Sequence, residues 1–101
     1  MSLHKRAPIR IAIESFQGYL QNRHNAEQLE HGLSKAASLL ENDIPKPLRD
    51  IIERANNSMD TIRFATPEKE ERAAVEKLWR EFEEVVSRHG IQIELTQEED
   101  D

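Results

Sequence analysis

Apolar residues recur through most of this chain at intervals of three and four, the spacing that stacks side chains on one face of an α-helix. Leu48, Ile51, Ile52, Ala55, Met59 and Ile62 form one such face. Pro45 and Pro47 cannot lie within a helix interior, so they mark a linker and the opening turn of this helix. A longer helix follows. Thr66-Pro67-Glu68 reads as an N-cap, a first-position proline and a first-turn acid, and Val75, Leu78, Trp79, Phe82, Val85 and Val86 supply a stripe that runs to about His89, with Gly90 closing it. On its wet side Glu68 precedes Arg72, Glu76 precedes Arg80 and Glu84 precedes Arg88 by four residues, the favourable order for ion pairs.

The first half of the chain is less regular. Asn25, with Gln28 three residues on, has the form of a capping box, and Ala26, Leu29, Leu33, Ala36, Ala37 and Leu40 give a stripe of low bulk behind it. Gly32 and Ala36 on that helix would admit a neighbouring backbone closely. Before it, Ile9, Ile13, Phe16 and Leu20 recur like a helix face, although Ile9, Ile11 and Ile13 also alternate like a strand. Ile91, Ile93 and Leu95 alternate too, so residues 9–13 and 91–95 have a competing reading as a short strand pair. Length favours the helix, because the helical spacing persists from Ile9 to Leu20 while the alternation spans five residues.

These elements predict an all-α fold, a small antiparallel four-helix bundle, with a three-helix core plus an N-terminal segment as the second choice. With 101 residues the chain is sized for one domain. The expected division is a helical domain over residues 1–95 and an acidic disordered tail over 96–101.

Charge narrows the function. The net charge is −6, distributed unevenly: Lys5, Arg6, Arg10 and Arg23 face only Glu14 in the first 24 residues, while residues 67–101 hold twelve acids and five bases. Nucleic acid is therefore an unexpected partner, since phosphate binding depends on gathered Lys and Arg. A membrane surface is unexpected as well, because the polar face of the long helix is rich in Glu. No apolar run of spanning length occurs, and Met1 to Arg10 lacks the apolar stretch of a signal peptide; a cytoplasmic protein is the expectation.

Few residue combinations in the chain are suited to chemistry. There are no cysteines, and the glycines are Gly18, Gly32 and Gly90, so thiolate chemistry and a glycine-rich phosphate loop are ruled out. Of the four histidines, only His24 and His31 share a helical face, and no Glu-x-x-His spacing accompanies them. Acid pairs such as Glu27 with Glu30 or Glu83 with Glu84 read as solvated helix faces. No enzyme, metal, cofactor or small-molecule substrate is implied.

The remaining reading is a noncatalytic acidic interaction protein that binds a basic protein surface, in an inhibitor, immunity-type or adaptor role. Its expected contact residues are Glu76, Glu83 and Glu84 as an acidic docking face, with Tyr19 as an apolar anchor. The alternative is a self-associating structural protein, a helical homodimer, in which Leu39, Ile44 and Ile51 are shared between two copies.

Overall fold

A computed structural model describes residues 7–89. Within them the chain forms α1 (Ala7–Leu20), α2 (Ala26–Ser38), α3 (Lys46–Ala65) and α4 (Glu68–Arg88), with no strand among the described residues. The short connections return each helix beside the one before it, giving an antiparallel four-helix bundle. Residues 9–13 are helical, so the strand pair is not formed there. Its second half at 91–95, the acidic tail at 96–101 and Gly90 lie outside the described residues.

α1 ends in a tight chain reversal built on Asn22. This residue has a φ of 66°, the left-handed conformation that Asn adopts more readily than most. The Asn22 N–H donates to the Tyr19 carbonyl at 3.0 Å and the Arg23 N–H donates to the Gly18 carbonyl at 2.7 Å, the paired bonds of a Schellman motif. The imidazole of His24 then folds back over Gly18, where its Cδ2 lies 2.0 Å from the position a Cβ would take. Gly18 thus permits this return of the chain.

α2 starts on the capping box read in the sequence. The Gln28 N–H donates to Asn25 Oδ1 and the Asn25 N–H donates to Gln28 Oε1, each at 2.8 Å. The two bonds satisfy donors that the first helical turn leaves orphaned, an effect worth about 1 kcal/mol. Ala26, Leu29, Leu33 and Ala36 are buried as the stripe predicts, and Ala37 and Leu40 pack at its margin. Gly32 meets α1, its absent Cβ standing 1.9 Å from Ser15 Oγ.

α3 buries the six apolar residues that define its face. It runs one turn further than the sequence suggests, through Phe64 and Ala65, and Thr66 closes it by donating its N–H to the Ile62 carbonyl at 3.4 Å. Thr66 is therefore the C-cap of α3 rather than the N-cap of α4. Pro67, in extended backbone, takes the cap position of α4 without a side-chain bond.

Two expectations about spare apolar surface change. Ile44 and Ile51 are buried within this one chain, leaving Leu39, 43% exposed, as the remaining member of the set expected at a homodimer interface. Leu39 follows the C-terminal end of α2, whereas exposed Phe64 lies at the far end of α3, so the two do not join in one patch.

The core closes between α1 and α4. Phe16 has ring centroids 5.3 Å from Trp79 and 5.4 Å from Phe82, and Trp79 lies 5.9 Å from Phe82. Offset and tilted rings at this range add about 0.5–1.5 kcal/mol per pair beyond the area they bury. No helix among the described residues is long and apolar enough to cross a membrane.

Candidate functional site

The residues expected to bind a partner fall in two settings. Tyr19 is 6% exposed and belongs to the core, so its ring faces the interior. Its hydroxyl donates to Glu71 Oε1 at 2.9 Å, and the Arg72 guanidinium lies over its ring at 5.8 Å. Arg72 also donates to the Leu20 carbonyl at 2.7 Å and to Asn22 Oδ1 at 3.2 Å, which fastens the start of α4 to the end of α1.

Arg72 pairs with Glu76 at 3.3 Å, and Arg88 pairs with Glu84 at 2.7 Å. Arg72, rather than the expected Arg80, is thus the partner of Glu76. Glu83 is exposed and has no ion-pair partner among the described residues. Arg80 stands four residues from Glu76 and three from Glu83, on the same side of the helix. The face holding Glu76, Glu83 and Glu84 is consequently interleaved with Arg72, Arg80 and Arg88 and carries little net charge. Tyr19 and Glu76 meet through Arg72, whereas Glu83 and Glu84 lie about two turns further along α4.

Burial pushes the Tyr19 phenol up to about 12, with the hydrogen bond to Glu71 and then its charge adding to the effect and Arg72 opposing it. The folded state therefore holds the neutral phenol more tightly than the unfolded chain does. This contribution is fully present below pH 10 and is lost as pH rises from about 10 to about 12. Tyr19 is the only tyrosine, so tyrosinate absorbance reports it alone. Native protein should begin to ionise well above pH 10 and lose stability through that window, while Tyr19→Phe should flatten the loss. Ionisation of the native protein at the value of free tyrosine would contradict the buried setting.

A different site forms between α2 and α3. An open cleft of about 560 Å³ is lined from α2 by Glu27, Glu30, His31 and Ser34, and from α3 by Asn56, Asn57, Asp60 and Arg63. The antiparallel packing creates it, because the first half of α2 lies along the second half of α3 and each helix turns a polar row toward the other. Arg63 Nη1 donates to Glu30 Oε1, and these side chains are 27% and 19% exposed. The Arg63 pKa is raised by that hydrogen bond; partial burial opposes the shift, and the charges of Glu30, Glu27 and Asp60 support it.

The four formal charges facing the cleft are Glu27, Glu30, Asp60 and Arg63, and only Glu30 and Arg63 form an ion pair among the described residues. Two exposed carboxylates, Glu27 and Asp60, form no ion pair of their own among the described residues and feel Arg63 only through its charge, which leaves the lining with an excess of acid. Beside them stand the amides of Asn56 and Asn57 and the hydroxyl of Ser34, which supply both donors and acceptors. At the end of the cleft the Arg63 guanidinium lies 4.9 Å from the centroid of the Phe64 ring. Phe64 is 73% exposed, the most accessible large apolar side chain among the described residues. Groups of acids and histidines close enough to hold a metal ion are absent among the described residues.

On sequence alone Glu27 and Glu30 read as a solvated helix face, and the cleft they form with α3 goes unseen. The available signal was register. Glu27, Glu30, His31 and Ser34 share one face of α2, while Asn56, Asp60 and Arg63 share one face of α3, and antiparallel pairing brings the two rows together. No protein-family model, no curated protein and no solved structure matches this chain.

Proposed function

We propose that this protein is a noncatalytic, cytoplasmic interaction protein that binds a basic protein surface, as an inhibitor, immunity-type or adaptor protein does. The observation that carries the reading is the cleft between α2 and α3, where three carboxylates, Glu27, Glu30 and Asp60, face the single guanidinium of Arg63, and Glu27 and Asp60 form no ion pair among the described residues. A net charge of −6 extends the same preference outward, since a field of one sign steers oppositely charged partners and repels like-charged ones. The α4 face of Glu76, Glu83 and Glu84 contributes less, because neighbouring arginines offset its acids. Among the described residues the homodimer alternative has only isolated Leu39 and Phe64 to draw on.

Affinity capture at low salt, followed by elution with raised salt and identification of the eluted proteins, tests this reading. Basic proteins that leave the support as salt screens the contact are the expected result. Recovery of no basic protein above the level bound by an unrelated acidic helical protein would overturn it.

A further inference from the structure

We propose that the cleft between α2 and α3 reads a two-part signature in its partner, a lysine or arginine beside an apolar residue on one exposed segment. The cation is taken by Glu27 and Asp60, and the apolar neighbour by Phe64. This inference rests on the reading of the protein as a binder of basic surfaces and specifies how that surface is recognised.

The assignment follows from charge and exposure together. Arg63 is already committed to Glu30, so an incoming cation does not have to displace an existing pair to reach Glu27 and Asp60. Asn56 and Asn57 stand in the same lining and can bond the backbone of an extended segment. Phe64 contributes what a purely acidic surface lacks. Its ring is held beside the Arg63 guanidinium at 4.9 Å, yet 73% of the residue remains open to solvent. Aromatic side chains of this kind dominate the energetics of protein interfaces, and the open face of the ring can accept either an apolar group or the stem of a lysine. Arg63 acts as a positioning residue, neutralising Glu30 and steadying Phe64. α4 offers a carboxylate for the cationic half of this signature in Glu83, but no exposed large apolar side chain stands beside it among the described residues.

The test is site-resolved NMR of the full chain titrated with an unstructured lysine–leucine peptide, a lysine–alanine peptide and a glutamate–leucine peptide. Signals of Glu27, Asn56, Asn57, Asp60 and Phe64 should shift with the lysine–leucine peptide first, less with lysine–alanine, and not with glutamate–leucine. Phe64→Ala should weaken binding of the lysine–leucine peptide at least about fivefold while affecting the lysine–alanine peptide little. A combined Glu27→Gln and Asp60→Asn variant should weaken both lysine peptides by several-fold. These positions are exposed, so the helical spectrum and Trp79 fluorescence should be unchanged. Combined Glu83→Gln and Glu84→Gln should leave binding as it was.

Shifts centred on α4, shifts spread over all acidic surfaces, or equal affinity of the cleft variants and the parent would overturn the inference. So would chemical shifts at Phe64 that depend on protein concentration without peptide, because a second copy would then be the occupant. Capture of basic proteins that persists in the Phe64 and carboxylate variants would reject this cleft and leave the broader function standing.

Discussion

Phe16→Ala is expected to lower the free energy of unfolding by about 3–5 kcal/mol, the usual cost of deleting a buried aromatic side chain. Phe16 is fully buried and forms the centre of the aromatic cluster, with Trp79 and Phe82 both within 5.4 Å of its ring. Its loss would leave a cavity where α1 meets α4. A chain of this size has a total stability on the order of 5–15 kcal/mol, so the variant should be severely weakened or unfolded at physiological temperature. Urea unfolding followed by helical circular dichroism measures the change, and the midpoint should fall with little change in the slope. A loss below about 1 kcal/mol would mean that α1 is not integral to the core, as in the arrangement of a three-helix core with an attached N-terminal segment.

Gly32→Ala is expected to destabilise the protein by about 1–3 kcal/mol, although alanine ordinarily improves an exposed helix position by up to about 1 kcal/mol. The sign reverses because the new methyl group would stand 1.9 Å from Ser15 Oγ and 2.8 Å from Ser15 Cβ, and α1 must shift to admit it. The Ser15 hydroxyl is not free to swing aside without loss, since it donates to the Ile11 carbonyl at 2.8 Å. In a Ser15→Gly background the same substitution should cost little or become stabilising. A double-mutant cycle in urea isolates the contact, with an expected coupling of about 0.5–3 kcal/mol. Additive effects of the two changes would show that the helices do not approach at this point.

Both effects originate in features of different legibility. The face of α3 and the stripe of α4 are long, bulky and regularly spaced, so burial follows directly from the pattern. Asn25 and Gln28 identified the start of α2 because the reciprocal bonds of a capping box require those residue types at that spacing. Gly32 was readable as a place of close approach, but Ser15 as its counterpart depends on how α1 docks. The buried face of α1 is centred on Ile9, Ala12, Phe16 and Tyr19, while Ile13 and Leu20 are half-buried. Small Ala12 gave no hydrophobic signal, and Tyr19 could enter the core because Glu71, about 50 positions away, accepts from its hydroxyl while Arg72 lies over its ring.

The site was less legible than the fold for the same reason. Glu27 and Glu30 look alike along the chain, yet among the described residues it is Glu30 that forms the ion pair with Arg63. Local spacing does not reveal whether an acid on one helix meets a cation on another. Thr66 illustrates a related limit: Thr-Pro-Glu satisfies the rules for starting a helix, but its backbone serves to close α3 because the two helices are separated by only Thr66 and Pro67. Exposed Phe64 also had no signature, since it belongs to an otherwise amphipathic helix and its accessibility emerges only where α3 ends.

The most direct test of the account is a calorimetric titration of the native protein with the lysine–leucine and glutamate–leucine peptides at low and raised salt. Saturable binding of the lysine peptide that weakens as salt rises, with none for the glutamate peptide, is the predicted result. No binding of the lysine peptide at low salt, or equal binding of both peptides, would contradict a protein built to recognise basic surfaces.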